Sequence, residues 1–244
     1  MLQPIRAAIL QGPGPCRATL PGGRSPLRPF GPFCPQGSVR AELVEAPFFC
    51  LSRLVNKKDQ LRRTLRAARK AHVEALPDSI RGLLFHRPPA PLLARIGDEA
   101  VIGLYHAGPF EAPAGGYARF FHEAGHTIAL PRFATRTAPM TFARYSDPYA
   151  DSDLEVGPYG MLQPGSEAEA LIPDVLFVPL IGFTPALERL GQGGGHYDRW
   201  LAEHRPALAV GLAWDAQAFE ALPTEPHDAP LDAVVTPTRL YGNL

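Results

Sequence analysis

Six consecutive residues, Val175-Leu-Phe-Val-Pro-Leu180, are apolar at every position. A strand with one wet face alternates apolar and polar residues. A run without alternation belongs to a strand covered on both sides, as in a parallel sheet between two helical layers. Other short apolar runs, at 101–105, 127–130, 140–145, 208–214 and 233–236, are bounded by turn residues, and several precede a helical pattern. The chain from residue 55 to 244 therefore reads as one α/β domain of three layers, a mostly parallel sheet with helices on both faces. Residues 57–76 form the first predicted helix, with Leu61, Leu65, Ala68 and Leu76 at helical spacing. Pro77 closes it, and Asp78-Ser79 reads as the N-cap of a second helix running toward Ile96 with a Pro-rich interruption at 88–91.

Residues 1–54 have a different character. They hold nine prolines, six glycines, six arginines, no lysine and only Glu42 and Glu45 as acids, a net charge of +4. Proline removes backbone donors and fixes φ, so this segment reads as a disordered extension outside the fold. A secretory signal is excluded, because proline and arginine interrupt every apolar stretch. A transit peptide and a start codon placed too far upstream both stay open. All three cysteines (Cys16, Cys34, Cys50) fall here, so the domain itself has no thiol nucleophile and no zinc–thiolate site. Over the whole chain 24 basic and 24 acidic residues balance. That gives no general attraction to nucleic acid or membrane, and the expectation is a cytoplasmic monomer.

The strongest chemical signal is Arg189-Leu-Gly-Gln-Gly-Gly-Gly-His-Tyr-Asp-Arg199, with glycine at 191, 193, 194 and 195. Glycine loses the most backbone entropy on folding, so such density makes sense where backbone N–H groups must approach an anion. A helix starting near His196 would add its positive end. No Gly-Lys-Ser/Thr follows, which rules out a P-loop, and the spacing is not that of the dinucleotide fingerprint. The alternative is a flexible connection with no ligand.

The flanking residues resemble the 5-formyltetrahydrofolate cyclo-ligase family. Its signature is an apolar strand ending in proline, a Gly/Ala-Phe pair and then Arg-Leu-Gly-x-Gly-x-Gly-x-Tyr-Asp. Here these are Asp174 to Pro179, Gly182-Phe183 and Arg189 to Arg199. Lys58-x-x-Leu-Arg62, Glu111 after the 101–105 strand, Pro226-His-Asp228 and Asp232 to Thr236 match further segments in order. The resemblance covers about 56–238 and implies a fold like that of the NagB, RpiA and CoA-transferase proteins. It also implies ATP as co-substrate, Mg²⁺ as cofactor, and conversion of 5-formyltetrahydrofolate to 5,10-methenyltetrahydrofolate.

Residue by residue, the resemblance implies phosphate binding by Lys58, Arg62 and Arg189, with Lys58 and Arg189 catalytic. Gly191, Gly193, Gly194, Gly195, His196 and Tyr197 complete the ATP site. Folate falls to His106, Glu111, Gln192, Gly193, Gly194, Gly195 and His196, and Mg²⁺ to Asp198 and Asp228. For Asp228 an Asx-turn is the alternative. Arg66 and Arg69 continue the basic stripe of the first helix and read as a solvated face. The chain departs from the family pattern at Gln163, Thr184, His196 and the loop around Glu111. His122-Glu-Ala-Gly-His126 spells a zincin motif, but Gly125 reads as a helix end, so the two histidines do not share a helical face. Two alternatives to a cyclo-ligase are a sugar-phosphate isomerase or lactonase of related architecture, and a non-catalytic binding module.

Overall fold

A computed structural model describes residues 46–223 and 229–244. Helix α1 (Ala46–Ala75) is followed by two one-turn helices, α2 (Asp78–Arg81) and α3 (Ala90–Leu93). Strand β1 (Ile102–Gly103), helix α4 (Gly115–Glu123), β2 (Ile128–Arg132) and β3 (Thr141–Tyr145) come next. Short strands β4 (Leu154–Val156), β5 (Leu162–Pro164) and β6 (Ala170–Leu171) precede the central strand β7 (Val175–Pro179). Then come β8 (Gly182–Phe183), β9 (Arg189–Leu190), helix α5 (His196–Glu203) and β10 (Leu208–Leu212). A 3₁₀ turn (Asp215–Gln217), β11 (Ala233–Val235) and β12 (Leu240–Tyr241) complete the chain.

Eight strands form one sheet in the order β12-β11-β10-β7-β1-β2-β3-β6. The five from β11 to β2 are parallel, and β12, β3 and β6 are antiparallel at the edges. The period-2 alternation of the central strands sorts their side chains between two buried layers. Val175, Phe177, Val210 and Leu212 meet Val73 of α1, Leu92 of α3 and Tyr117 and Phe121 of α4. Leu176, Val178, Ala209 and Val234 meet Trp200 and Leu201 of α5. The expected three-layer α/β architecture is present, and the unalternating run at 175–180 is buried for the expected reason.

Chain order reverses between β1 and β7. From β1 the chain runs through α4 to β2 on one side; from β7 it runs through α5, on the other face, to β10. In open α/β sheets such a reversal leaves a crevice at the carboxyl ends of the two strands.

Three local expectations are corrected. Helix α1 spans Ala46–Ala75 rather than 57–76. Pro47 is the only proline in 46–54 and falls in the first turn, where proline is tolerated. Pro77, not Asp78 or Ser79, is the N-cap of α2, which makes no side-chain cap bond. The second predicted helix is two separate single turns.

Candidate functional site

The buried stripe of α1 runs through Lys58, Leu65, Arg69 and Val73, with Arg62 half-buried beside it. Leu65 anchors the helix by packing with Ile181, Leu190 and Leu222. That anchor turns Lys58, Arg62 and Arg69 inward, because positions three, four and seven apart share a helical face. Lys58 and Arg69 are only 5% and 8% exposed.

Facing them is the glycine-rich loop. Strands β8 and β9 pair antiparallel, with Phe183 opposite Arg189, which ties the loop's entry to the end of β7. Gly193 (φ +103°) and Gly195 (φ +63°) take left-handed backbone conformations, and α5 begins immediately afterwards. A Cβ on Gly193 would meet the Arg62 guanidinium at 3.4 Å, so helix and loop approach closely. Arg62 Nε donates to the Gly191 carbonyl (3.1 Å), and Arg66 donates to the Gln192 carbonyl (2.8 Å) and to its side-chain oxygen.

Between helix and loop lies a cavity of about 490 Å³ at the carboxyl ends of β1 and β7. Lys58, Arg62, Arg189 and Gly191–Gly195 line it, with Tyr105, His106 and Glu111 from the segment after β1. A second group of lining residues is apolar or aromatic: Phe133, Met140, Tyr159, Met161 and His196. Phe133, Tyr159 and His196 pack edge-on with ring centroids 4.8–5.6 Å apart. Tyr159 and Met161 come from the β4–β5 hairpin, which has no counterpart among the expected strands.

Glu111 joins the two parts. Its Oε1 accepts from Gln192 Nε2 (2.8 Å) and its Oε2 from the Gly108 N–H (3.0 Å), and Arg69 Nη1 lies 3.7 Å from Oε1. Burial pushes the Tyr105 and Tyr197 hydroxyls up, and the Glu111 charge adds to this, so both stay neutral hydroxyls. Burial lowers His196, and the nearby Arg199 charge lowers it further.

Arg189 is 6% exposed and pairs with Asp198 at 2.5 Å. Its Nε is buried without a hydrogen-bond partner. Asp198 and Glu111 are the two carboxylates of the cavity wall among the described residues. No group of three or more metal-ligating side chains exists among the described residues. A single carboxylate plus phosphate oxygens is an ordinary Mg²⁺ arrangement, so Asp198 fits that ion while its Oδ1 is held by Arg189. Asp228 and the Pro226-His-Asp match lie outside the described residues.

Every other expected site residue lies on this one cavity: Lys58, Arg62, His106, Glu111, Arg189, Gly191–Gly195, His196, Tyr197 and Asp198. The solvated-face reading holds for Arg66 and is overturned for Arg69. Arg69 is buried against Glu111, and Arg66 is exposed but bound to Gln192. The helical spacing held that information: Arg69 is i+4 from Leu65 and i−4 from Val73, both apolar. The aromatic group had no such signal, since Phe133, Tyr159 and His196 come from three separate segments. His122 lies in the last turn of α4, while His126 follows Gly125 (φ +89°) and its ring nitrogen meets the Ala100 carbonyl at 3.2 Å. Gln163, at a departure from the family pattern, is 5% exposed and bonds both backbone groups of Phe133. Thr184, at another, bonds Glu188.

Fold and cavity together define an α/β protein with a crevice lined by cations and a glycine-rich loop at its topological switch point. The sequence profile of the 5-formyltetrahydrofolate cyclo-ligase family matches residues 55–237, and the chain belongs to that family. A 5-formyltetrahydrofolate cyclo-ligase of Escherichia coli K12 is 36% identical over 125 residues, covering 48% of this chain and 67% of its own. The Haemophilus influenzae cyclo-ligase is 37% identical over 98 residues, covering 38% and 51%. The solved 5,10-methenyltetrahydrofolate synthetase of Mycoplasma pneumoniae superposes with a TM-score of 0.52 at 22% identity, covering 72% of this chain and 96% of that one. The Aquifex aeolicus synthetase gives 0.50 at 24%, covering 78% and 89%. These structural likenesses establish the fold. None of them favours the isomerase, lactonase or binding-module alternatives. No described helix is long and apolar enough to cross a membrane.

Proposed function

We propose that the chain converts 5-formyltetrahydrofolate to 5,10-methenyltetrahydrofolate at the expense of ATP. The observation that carries this reading is the convergence of three inward cations, a glycine-rich loop and Glu111 on one cavity, in a chain of this family.

A formyl amide is a weak electrophile and its oxygen a poor leaving group. Transfer of the γ-phosphoryl to that oxygen releases ADP and turns the oxygen into a phosphate ester. N10 then attacks the formyl carbon and gives up its proton. Inorganic phosphate departs with the C–O bond, leaving the methenyl bridge. Phosphoryl transfer asks the protein for alignment and charge stabilisation rather than covalent chemistry. Lys58, Arg62 and Arg189 would supply the charge, with the N–H groups of Gly191–Gly195 as fixed donors. Arg189, a planar guanidinium on the cavity wall, is the donor best suited to a phosphoryl oxygen. Asp198 would hold Mg²⁺, which when bound neutralises the charge of the β- and γ-phosphate oxygens. Glu111 uses one acceptor position on each oxygen for Gln192 and Gly108, leaving others for N–H donors of a pterin. Phe133, Tyr159 and His196 would pack on an aromatic ring system.

The oxygen balance provides the test. With ¹⁸O in the formyl group, the label must appear in inorganic phosphate and not in water. Label recovered in water would exclude phosphorylation of the formyl oxygen. Asp198→Asn gives a second check: it keeps an acceptor for Arg189 but removes a charge, so the Mg²⁺ concentration for half-maximal rate should rise about tenfold or more.

A further inference from the structure

We propose that Arg69 is a positioning residue of the folate side of the site: it holds the Glu111 carboxylate in place from behind, inside the protein. This rests on the function proposed above. Arg69 and Glu111 have side chains only 9% and 12% exposed, with nitrogen and oxygen 3.7 Å apart. A buried charge is costly unless an opposite charge or hydrogen bonds compensate it. Arg69 Nη1 also donates to the Leu180 carbonyl at the long distance of 3.4 Å, and its Nε has no partner. Gln217 Nε2 already supplies that carbonyl at 2.7 Å, so Leu180 does not need Arg69. A guanidinium so poorly satisfied by the fold is retained for its charge, and the carboxylate beside it is Glu111.

The geometry divides the work around Glu111. Gly108 N–H fixes Oε2, Gln192 fixes Oε1, and Arg69 approaches Oε1 from helix α1. Gln192 is in turn held by Arg66, one turn earlier on the same helix. Gln192 is exposed on the loop and lines the cavity, so a ligand can displace it; Arg69 lies behind the wall and stays. With Gln192 displaced, Arg69 is the cation that stays beside Glu111 and keeps it aimed at the cavity.

The test is steady-state kinetics on Arg69→Met, Arg69→Lys, Glu111→Gln and the Arg69→Met/Glu111→Gln double variant, varying each substrate. Arg69→Met should raise the KM for 5-formyltetrahydrofolate about tenfold or more while the KM for ATP stays within about twofold. Arg69→Lys should recover part of the loss. In the Glu111→Gln background, Arg69→Met should change folate KM by less than about threefold, because a residue acting through Glu111 has nothing left to act on. Equal rises in both KM values, or losses that multiply in the double variant, would overturn the proposal. If the parent protein leaves 5-formyltetrahydrofolate untouched, the function above fails, and the proposed role of Arg69 in folate binding fails with it. Urea unfolding of the same four variants then reads the pairing itself, with additive midpoint shifts showing that Arg69 does not act on Glu111 at all.

Discussion

Lys58 occupies an inward position on α1 that an apolar residue would fill in an ordinary helix. In the function proposed above, its ammonium would grip phosphate in the ground state as well as in the transition state. Lys58→Ala should therefore raise the KM for ATP about tenfold or more with a smaller change in kcat. An unchanged KM for ATP would remove Lys58 from the nucleotide site. His196 carries a pH signature. Burial, then Arg199, depresses its folded pKa below the ordinary value near 6.5. A depressed pKa gives stability that is present above the unfolded value and lost as pH falls through the folded one. The Tm of the parent should thus fall on acidification below about pH 6.5 more steeply than that of His196→Tyr. Parallel Tm curves for the two proteins would show that His196 is not held neutral.

At the scale of elements, the glycine-rich loop is built to be approached. Gly193→Ala would place a Cβ at φ +103° and against Arg62, a strain of roughly 1–3 kcal/mol if the loop cannot relax. The expected outcome is a raised KM for ATP with an unchanged circular dichroism spectrum. A variant with unaltered kinetics would mean the loop does not cradle phosphate. Leu65→Ala removes the anchor that orients α1, and should cost about 2–4 kcal/mol in urea unfolding. The six main strands were legible because each is a short apolar run whose alternation, or lack of it, reports the layers above and below. Strands β4, β5, β6, β8, β9 and β12 were not. They are two or three residues long, too short for a period; all but β6, which pairs with β3, pair with a strand a few residues away along the chain. The half of the cavity lined by cations and glycines was legible for a related reason. A glycine cluster and an i,i+4 cation pair are local patterns, whereas Phe133, Tyr159 and His196 meet only once the sheet is assembled. Arg69 was readable but misassigned, because a run of basic residues usually marks a wet face, and its neighbours Leu65 and Val73 were the better guide.

At the scale of the molecule, the reversal of strand order between β1 and β7 places the site. The segment after β1 brings Tyr105, His106 and Glu111; the end of β7 leads through β8 and β9 to the loop; α1 lies against both. Arg62–Gly191 and Arg66–Gln192 tie α1 to the loop, so the two should respond as a unit. Amide exchange should slow together in residues 58–70 and 189–196 on adding a non-hydrolysable ATP analogue with Mg²⁺, and protection confined to one of them would contradict that coupling. The proposed activity closes the methenyl bridge of a reduced folate in this cavity by spending one ATP. Its most direct measurement follows the near-ultraviolet absorbance of the methenyl product as purified protein is mixed with 5-formyltetrahydrofolate, Mg²⁺ and ATP, with ADP counted in parallel. Product and ADP are expected in a one-to-one ratio, with no product without ATP and almost none with Arg189→Ala. Product formed without ATP, or no product from the folded parent protein, would contradict it.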